Sequence, residues 1–190
     1  MICYNIFPTL LELKDFREEH KELNQRLIRD IDHQMSIQDS NLKDKSFVKN
    51  LSGWASTLNL QNEYESFAEL GKTILKETPE YNSINLWANV IFKSGGYSRP
   101  HFHGRSLKRT GVYYPNGIAD VPFDAVLSDA FPNNSEGDLI LFDPKSTTRN
   151  ETKTIKHREG LLIFFPMYLN HMVTPMTSDK KRYCIAFSFK

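Results

Sequence analysis

"INLWANVIF", residues 84–92, alternates in polarity and is rich in aromatic and β-branched side chains. That pattern reads as a strand. Working outward from it, "TGVYY" (110–114), "DLILF" (138–142), "GLLIFF" (160–165), "HMVTP" (171–175) and "RYCIAFSF" (182–189) have the same character. Turn signals separate these runs: Gly95-Gly96, Pro115-Asn116-Gly117, Pro132-Asn133-Asn134, Asp143-Pro144 and Glu159-Gly160. Many short strands with no helical pattern between them imply a sandwich or barrel.

Upstream of residue 84 the periodicity is helical. Leu13, Phe16, Leu23, Leu27, Ile31 and Met35 follow helical spacing, with His20 in the gap. Thr9 and Glu12 form a T-x-x-E capping box, and Pro8 lies where no helix could have been running. These signals predict a long amphipathic helix over about 10–35. Residues 36–61, which include "NLSGWAS", read as irregular or weakly extended. Phe67, Leu70 and Ile74 predict a second, shorter helix ending before Pro79. The expected fold is mainly β with N-terminal helices: one domain over 1–190, with a helical buttress (1–80) on one face of a jelly-roll core (81–190).

The chain has 190 residues, 39% hydrophobic and 25% charged, enough for a sizeable core. With 24 basic and 23 acidic residues the net charge is +1, which gives no bulk electrostatic reason to expect nucleic acid or a membrane surface as partner. No run of 18 apolar residues occurs. The opening "MICYNIFPTLLELKDF" lacks a basic leader region, so a cytoplasmic protein is expected. Cys3 and Cys184 make neither a disulfide framework nor a zinc knuckle and read as small buried apolar residues.

"RPHFHGR" (99–105) places His101 and His103 one residue apart. In a strand both project to one face, with Phe102 turned away. Two imidazoles offered together suit a divalent ion, and neutral imidazole accepts Fe(II), Zn(II), Cu(II) or Ni(II). A third ligand has to come from elsewhere in the fold, and His171 follows the strand closed by Pro166. Each histidine taken alone reads as a surface or hydrogen-bonded residue. His20, His33 and His157 are read that way, two in the first helix and one in a charged turn.

"SGWAS" (52–56), "LWANVIFKSGGYSRPHFH" (86–103), "GVYY" (111–114), "GDLILFDP" (137–144), "EGLLIFFPMYLNHMVTP" (159–175) and "KRYCIAFSF" (181–189) occur in that order over nearly the whole chain. As an ordered set they resemble a small phage- and bacterium-associated group of 2-oxoglutarate/Fe(II)-dependent oxygenases. The resemblance implies a double-stranded β-helix with the metal at its mouth. His101 would then be the first iron ligand and His171 the distal one. Arg182 would grip the far carboxylate of 2-oxoglutarate, a task suited to a rigid guanidinium fork. Arg182, Cys184, Ala186 and Ser188 share one strand face, so the neighbours of Arg182 are small and leave room for a ligand. Asn89 and Tyr113 or Tyr114 are further candidates for hydrogen bonds to the cosubstrate.

Position 103 departs from the wider superfamily, which has H-x-D or H-x-E there and a two-histidine, one-carboxylate triad. Three neutral imidazoles leave the full dication, which a 2-oxoglutarate dianion balances by formal count. Alternatively His103 lies behind the ligands and a carboxylate from elsewhere completes the site; Asp124, Asp129 and Asp143 are the candidates, although Asp143 before Pro144 suits a turn. Three readings follow. The first is an oxygenase that uses Fe(II), the small-molecule cosubstrate 2-oxoglutarate and O2 to hydroxylate a substrate the sequence does not identify. The second is a cupin-type tri-histidine metal enzyme without 2-oxoglutarate, because H-x-H followed by Gly160, Pro166 and His171 echoes the cupin spacing, though the glutamate usual after H-x-H is missing. The third is a non-catalytic jelly roll. Loops such as 115–136 are expected to form the lid of the site.

Overall fold

The strand pattern resolves into two antiparallel sheets, with helices on the outer face of the larger. The structure, a computed structural model, describes residues 2–6, 9–37, 53–91, 94–105, 108–118, 120–129, 136–144 and 151–190. Its elements in chain order are β1 (Ile2–Ile6), β2 (Thr9–Asp15), α1 (Lys21–Ile37), β3 (Trp54–Ala55), α2 (Glu65–Glu77), β4 (Ile84–Ile91), β5 (Ser98–His101), β6 (Arg109–Tyr113), β7 (Leu127–Ser128), β8 (Leu139–Phe142), β9 (Thr152–Ile155), β10 (Leu161–Pro166), β11 (His171–Val173) and β12 (Arg182–Phe189). The larger sheet runs β1-β2-β10-β6-β12-β4-β3 and the smaller β5-β11-β8-β9-β7. Among the described residues no helix is long and apolar enough to cross a membrane.

The period-2 alternation sorts every long strand of the larger sheet between two cores. Trp87 and Ile91 of β4, Val112 of β6, Ile163 and Phe165 of β10, and Cys184 and Ala186 of β12 face the smaller sheet, where Leu139, Leu141, Ile155 and Val173 meet them. Ile84, Leu86, Ala88 and Val90 of β4, Leu162 and Phe164 of β10, and Tyr183, Ile185 and Phe187 of β12 face the helices. There they pack on Leu23, Leu27 and Ile31 of α1 and Phe67, Leu70 and Ile74 of α2. Both faces of the larger sheet are buried, which is why "GLLIFF" and "RYCIAFSF" read as nearly unbroken apolar runs. Gly111 belongs to this packing: a Cβ there would lie 2.0 Å from the Ile163 carbonyl oxygen.

The N-terminal segment differs from the helical expectation. Residues 9–15 form β2, which pairs with β1 and β10, and the helix begins only at Lys21. Leu11 and Leu13 are fully buried while Leu10 is 49% exposed, an alternation of strand period hidden inside a pattern that also fits a helix. The capping-box residues serve other partners. Glu12 pairs with Arg109, and the Thr9 hydroxyl bonds the Tyr168 hydroxyl. The proposed boundary near residue 80 is therefore crossed, because the first 15 residues supply two strands to the larger sheet. The second helix lies where its spacing predicts, as α2.

Smaller corrections concern single residues. Cys3 is exposed and Cys184 buried; both are free thiols. His157 is hydrogen-bonded, its Nε2 meeting the Tyr183 carbonyl oxygen, but it is buried at 1% exposure and lies edge-on to Tyr114 at 4.4 Å. His20 stacks on Phe16 and bonds the Tyr113 hydroxyl, and His33 bonds Tyr64.

Candidate metal centre

Strands β5 and β11 pair antiparallel with His101 directly opposite His171. A directly opposed pair on one face brings its side chains together, and the two rings lie 4.4 Å apart. Pro100 is tolerated in β5 because β5 is the edge strand of its sheet. His103 lies two residues past the end of β5, with its backbone N–H donating to the Met167 carbonyl at 2.9 Å. Its ring stacks on His171 at 5.0 Å, with the two Nε2 atoms 3.2 Å apart. Because the strand ends at His101, strict alternation does not extend to Phe102, which lines the same cavity and is 53% exposed.

One ring nitrogen from each of His101, His103 and His171 lies within 4.8 Å of the others. At metal–nitrogen distances of about 2.0–2.1 Å two ligands of one ion are at most about 4 Å apart, so the widest pair needs only a small side-chain adjustment. The backbone presets two of the donors. His101 Nδ1 donates to the Arg99 carbonyl at 2.8 Å and His171 Nδ1 to the Leu169 carbonyl at 2.9 Å. A carbonyl only accepts, so each Nδ1 carries the proton and each Nε2 keeps a lone pair. Burial, then the nearby His101, pushes the His103 imidazole down to about 4. His171 is driven well below the usual histidine range, mainly by burial and then by His101 and His103. Desolvated neutral imidazoles with converging lone pairs are the donor set a divalent metal requires. No carboxylate belongs to this group among the described residues. Asp129 pairs with Lys153, Asp124 lies in the single turn Phe123–Ala125, and the Asp143 N–H bonds the Glu151 carbonyl.

The histidines open on a cavity of about 290 Å³ between the sheets. Arg182, at the start of β12, reaches the same cavity and is 2% exposed. Its Nε donates to the Gly137 carbonyl at 2.8 Å and an Nη to the Tyr114 hydroxyl at 3.1 Å. Gly137 has φ +73°, and a Cβ there would lie 2.7 Å from Arg182 Cδ, so only glycine can hold its carbonyl at that spot without displacing the arginine. None of the ion pairs among the described residues includes Arg182. A buried cation with neutral hydrogen-bond partners and no counter-ion is costly unless a ligand brings the anion.

Of the remaining candidates, Asn89 and Tyr114 line the cavity. Tyr113 does not. It is the neighbour of Tyr114 in an alternating strand, so it faces the helices, where its hydroxyl donates to Asn24 Oδ1 at 2.6 Å. The two tyrosines therefore divide between the two faces of the sheet. Trp87 and Ser98 line the cavity without having been candidates, and Phe102, expected to turn away from the histidines, lines it too. Trp87 shares parity with Asn89 on β4, so choosing Asn89 should have implied it. The lid expectation for 115–136 is not met by the described part of that stretch. Ile118, Val121, Phe123 and Leu127 pack against the core between the sheets, and none of them lines the cavity. Residues 119 and 130–135 lie outside the described residues.

The cavity between the two sheets thus brings together three converging imidazoles and a buried arginine that joins no ion pair among the described residues. Residues 85–188 match the family described as "Putative 2OG-Fe(II) oxygenase", and the chain belongs to that family. It is thus an enzyme of the 2-oxoglutarate- and Fe(II)-dependent oxygenase class, with Fe(II) as its metal and 2-oxoglutarate as its cosubstrate. No curated protein matches the chain in sequence. Among solved structures it is similar in fold to a prolyl-4-hydroxylase from Pseudomonas putida (TM-score 0.67, 11% identity, covering 95% of this chain and 91% of that one). It is also similar to a Trichoplax adhaerens prolyl hydroxylase solved with a hypoxia-inducible-factor peptide (TM-score 0.61, 12% identity, 94% and 82% covered). A third is SnoN, an α-ketoglutarate-dependent epimerase from nogalamycin biosynthesis (TM-score 0.58, 11% identity, 95% and 76% covered).

Proposed function

We propose that this oxygenase hydroxylates a C–H bond of an organic substrate, with Fe(II) held by His101, His103 and His171 and 2-oxoglutarate held by Arg182. The observation that supports it most is the meeting, in one cavity, of three imidazole nitrogens within 4.8 Å and a buried guanidinium without a carboxylate. When bound, the metal and keto acid supply the oxidation: O2 gives one atom to the substrate C–H and one to the 2-oxoglutarate carbon that becomes the succinate carboxylate, with loss of CO2.

The chain's own residues do the positioning. Arg182 neutralises the far carboxylate of the five-carbon diacid as a fork-shaped donor. Tyr114 and the Gly137 carbonyl hold that fork in place. Cys184 and Ala186, on the same face of β12, leave room beside it. Asn89 adds a neutral amide to the wall. Trp87, Val112, Leu139 and Val173 make the rest of the wall apolar, which excludes water and strengthens the charge pairing inside.

The test is succinate formation from 2-oxoglutarate by the Fe(II)-loaded protein under air. Succinate should form in wild type and be lost in His171→Ala. Iron-dependent activity without 2-oxoglutarate consumption would favour the cupin-type alternative, and iron binding with no turnover of any kind would favour a binding module.

A further inference from the structure

From Tyr81 to Ala119 the chain contains no acidic residue, yet it contains Lys93, Arg99, Arg105, Lys108 and Arg109. This stretch supplies β4, β5 and β6 and the H-x-H between them. Arg109 is neutralised by Glu12 and Glu80. Arg99 and Arg105 are not: both are exposed, two residues before His101 and two after His103, and neither joins an ion pair among the described residues. Between them stands the exposed Phe102, which lines the cavity. The cavity wall itself carries Arg182 and no aspartate or glutamate.

The charge balance of the loaded site follows from these residues. Three neutral imidazoles leave the charge of a divalent ion undiminished, where a carboxylate at position 103 would have cancelled part of it. A 2-oxoglutarate dianion offsets the ion, and Arg182 then leaves the site one positive charge in excess. Arg99 and Arg105 do not line the cavity, and Arg99 Nε donates to the Tyr97 hydroxyl at 3.5 Å, but both are exposed within three residues of the cavity-lining Phe102 and add their charge to that field. A cleft of one sign with low-dielectric walls concentrates ligands of the opposite sign.

We infer that the prime substrate is an organic anion, with a carboxylate or phosphate directed to Arg99 and Arg105 and an apolar portion resting on Phe102. This rests on the oxygenase reading above and names the class of molecule that site accepts. It excludes cationic substrates and disfavours neutral ones.

The test uses Zn(II) in place of iron, which prevents turnover, in the full chain carrying Trp54→Phe. Trp87, which lines the cavity 6.1 Å from the His103 ring, is then the only tryptophan and reports binding by its fluorescence. The protein is first saturated with 2-oxoglutarate. Failure at this step would count against the oxygenase reading itself and shows before any probe is added. Four probes sharing one ring are then titrated: phenylacetate, phenyl phosphate, phenylacetamide and phenethylamine. At least one anion should bind about tenfold or more tightly than the amide, with an affinity that falls as salt rises. The better of the two anions distinguishes a carboxylate from a phosphate. In the Arg99→Gln/Arg105→Gln double variant that preference should collapse to within about twofold, while zinc content stays at the wild-type value and 2-oxoglutarate, held by Arg182, still saturates the site. The inference is overturned if the amide or amine binds as tightly as both anions, or if neither anion gives a saturable signal at millimolar concentration. It is also overturned if the anions act only by displacing 2-oxoglutarate, or if the preference survives in the double variant.

Discussion

His101 and His171 are register partners across β5 and β11, and each donates its Nδ1 proton to a backbone carbonyl two residues earlier in the chain, Arg99 and Leu169 respectively. Two imidazoles are thereby locked in the same tautomer with their lone pairs on one cavity. The third, His103, stands just past the strand on a single backbone hydrogen bond to Met167.

That difference in anchoring sets the first prediction. His101→Ala and His171→Ala should each lose at least nine-tenths of the bound metal by elemental analysis. His103→Asp should retain iron with weaker affinity, because a carboxylate is a competent iron ligand. His103→Phe should not retain it. Equal iron content in wild type, His103→Asp and His103→Phe would place residue 103 outside the metal site.

Gly137 is expected to act through Arg182. A Cβ at φ +73° costs about 1–2 kcal/mol in backbone strain and meets Arg182 Cδ and Met176 Sδ. Gly137→Ala should weaken 2-oxoglutarate binding about tenfold, measured calorimetrically on the metal-loaded protein. Metal content should not change, since Gly137 touches no histidine of the centre.

The N-terminal strand gives a test of the fold. Leu13 is fully buried between the sheets, and Leu10 faces solvent. Leu13→Ala should lower the unfolding free energy by about 2–5 kcal/mol, and Leu10→Ala by no more than about 0.5 kcal/mol. Urea denaturation followed by circular dichroism measures both. Comparable losses at the two positions would contradict the strand register of β2.

Much of the fold was legible because both sheets are built from period-2 patterns separated by turn residues, and α2 carries a clean apolar stripe. β2 was not legible, because Leu13, Phe16, Leu23 and Leu27 satisfy a helical spacing as well as Leu11 and Leu13 satisfy a strand. The pairing of β2 with β1 and β10 decides between them, and the contact with β10 joins residues about 150 positions apart. The cavity wall followed the same logic. Arg182, Cys184 and Ala186 could be placed on one face from spacing alone. Tyr113 and Tyr114 could not be told apart without knowing which face of the larger sheet takes the helices. The unpaired charge of Arg182 and the burial of His157 depend on packing between distant segments, so no local pattern announces them.

His157 supports a pH prediction. Burial, then the Arg182 charge, holds its imidazole well below the usual histidine range. The unfolded chain takes up its proton near pH 6.5, whereas the folded protein resists it. The unfolded state therefore binds more protons as pH falls below about 6.5, and stability drops by at most about 1.4 kcal/mol per pH unit for this group. It is fully present above that pH. Metal-free protein should lose stability from pH 7 to pH 5. His157→Gln should show a slope shallower by up to one proton, read from urea midpoints at successive pH values. Identical slopes would show that His157 titrates alike in both states.

The central claim is that one cavity holds the metal through three histidines and the diacid through Arg182. Its most direct measurement is an anaerobic titration of the Fe(II) protein with 2-oxoglutarate, following the metal-to-ligand charge-transfer band of a chelated keto acid. Removing one partner of a desolvated arginine–carboxylate pair costs about 3–5 kcal/mol, and about 1.4 kcal/mol is tenfold in affinity. The band should appear in wild type, with 2-oxoglutarate binding weakened roughly 100-fold or more in Arg182→Ala, by less in Arg182→Lys, and iron content equal in all three. Absence of the band in iron-loaded wild type, or equal affinity in wild type and Arg182→Ala, would contradict the account.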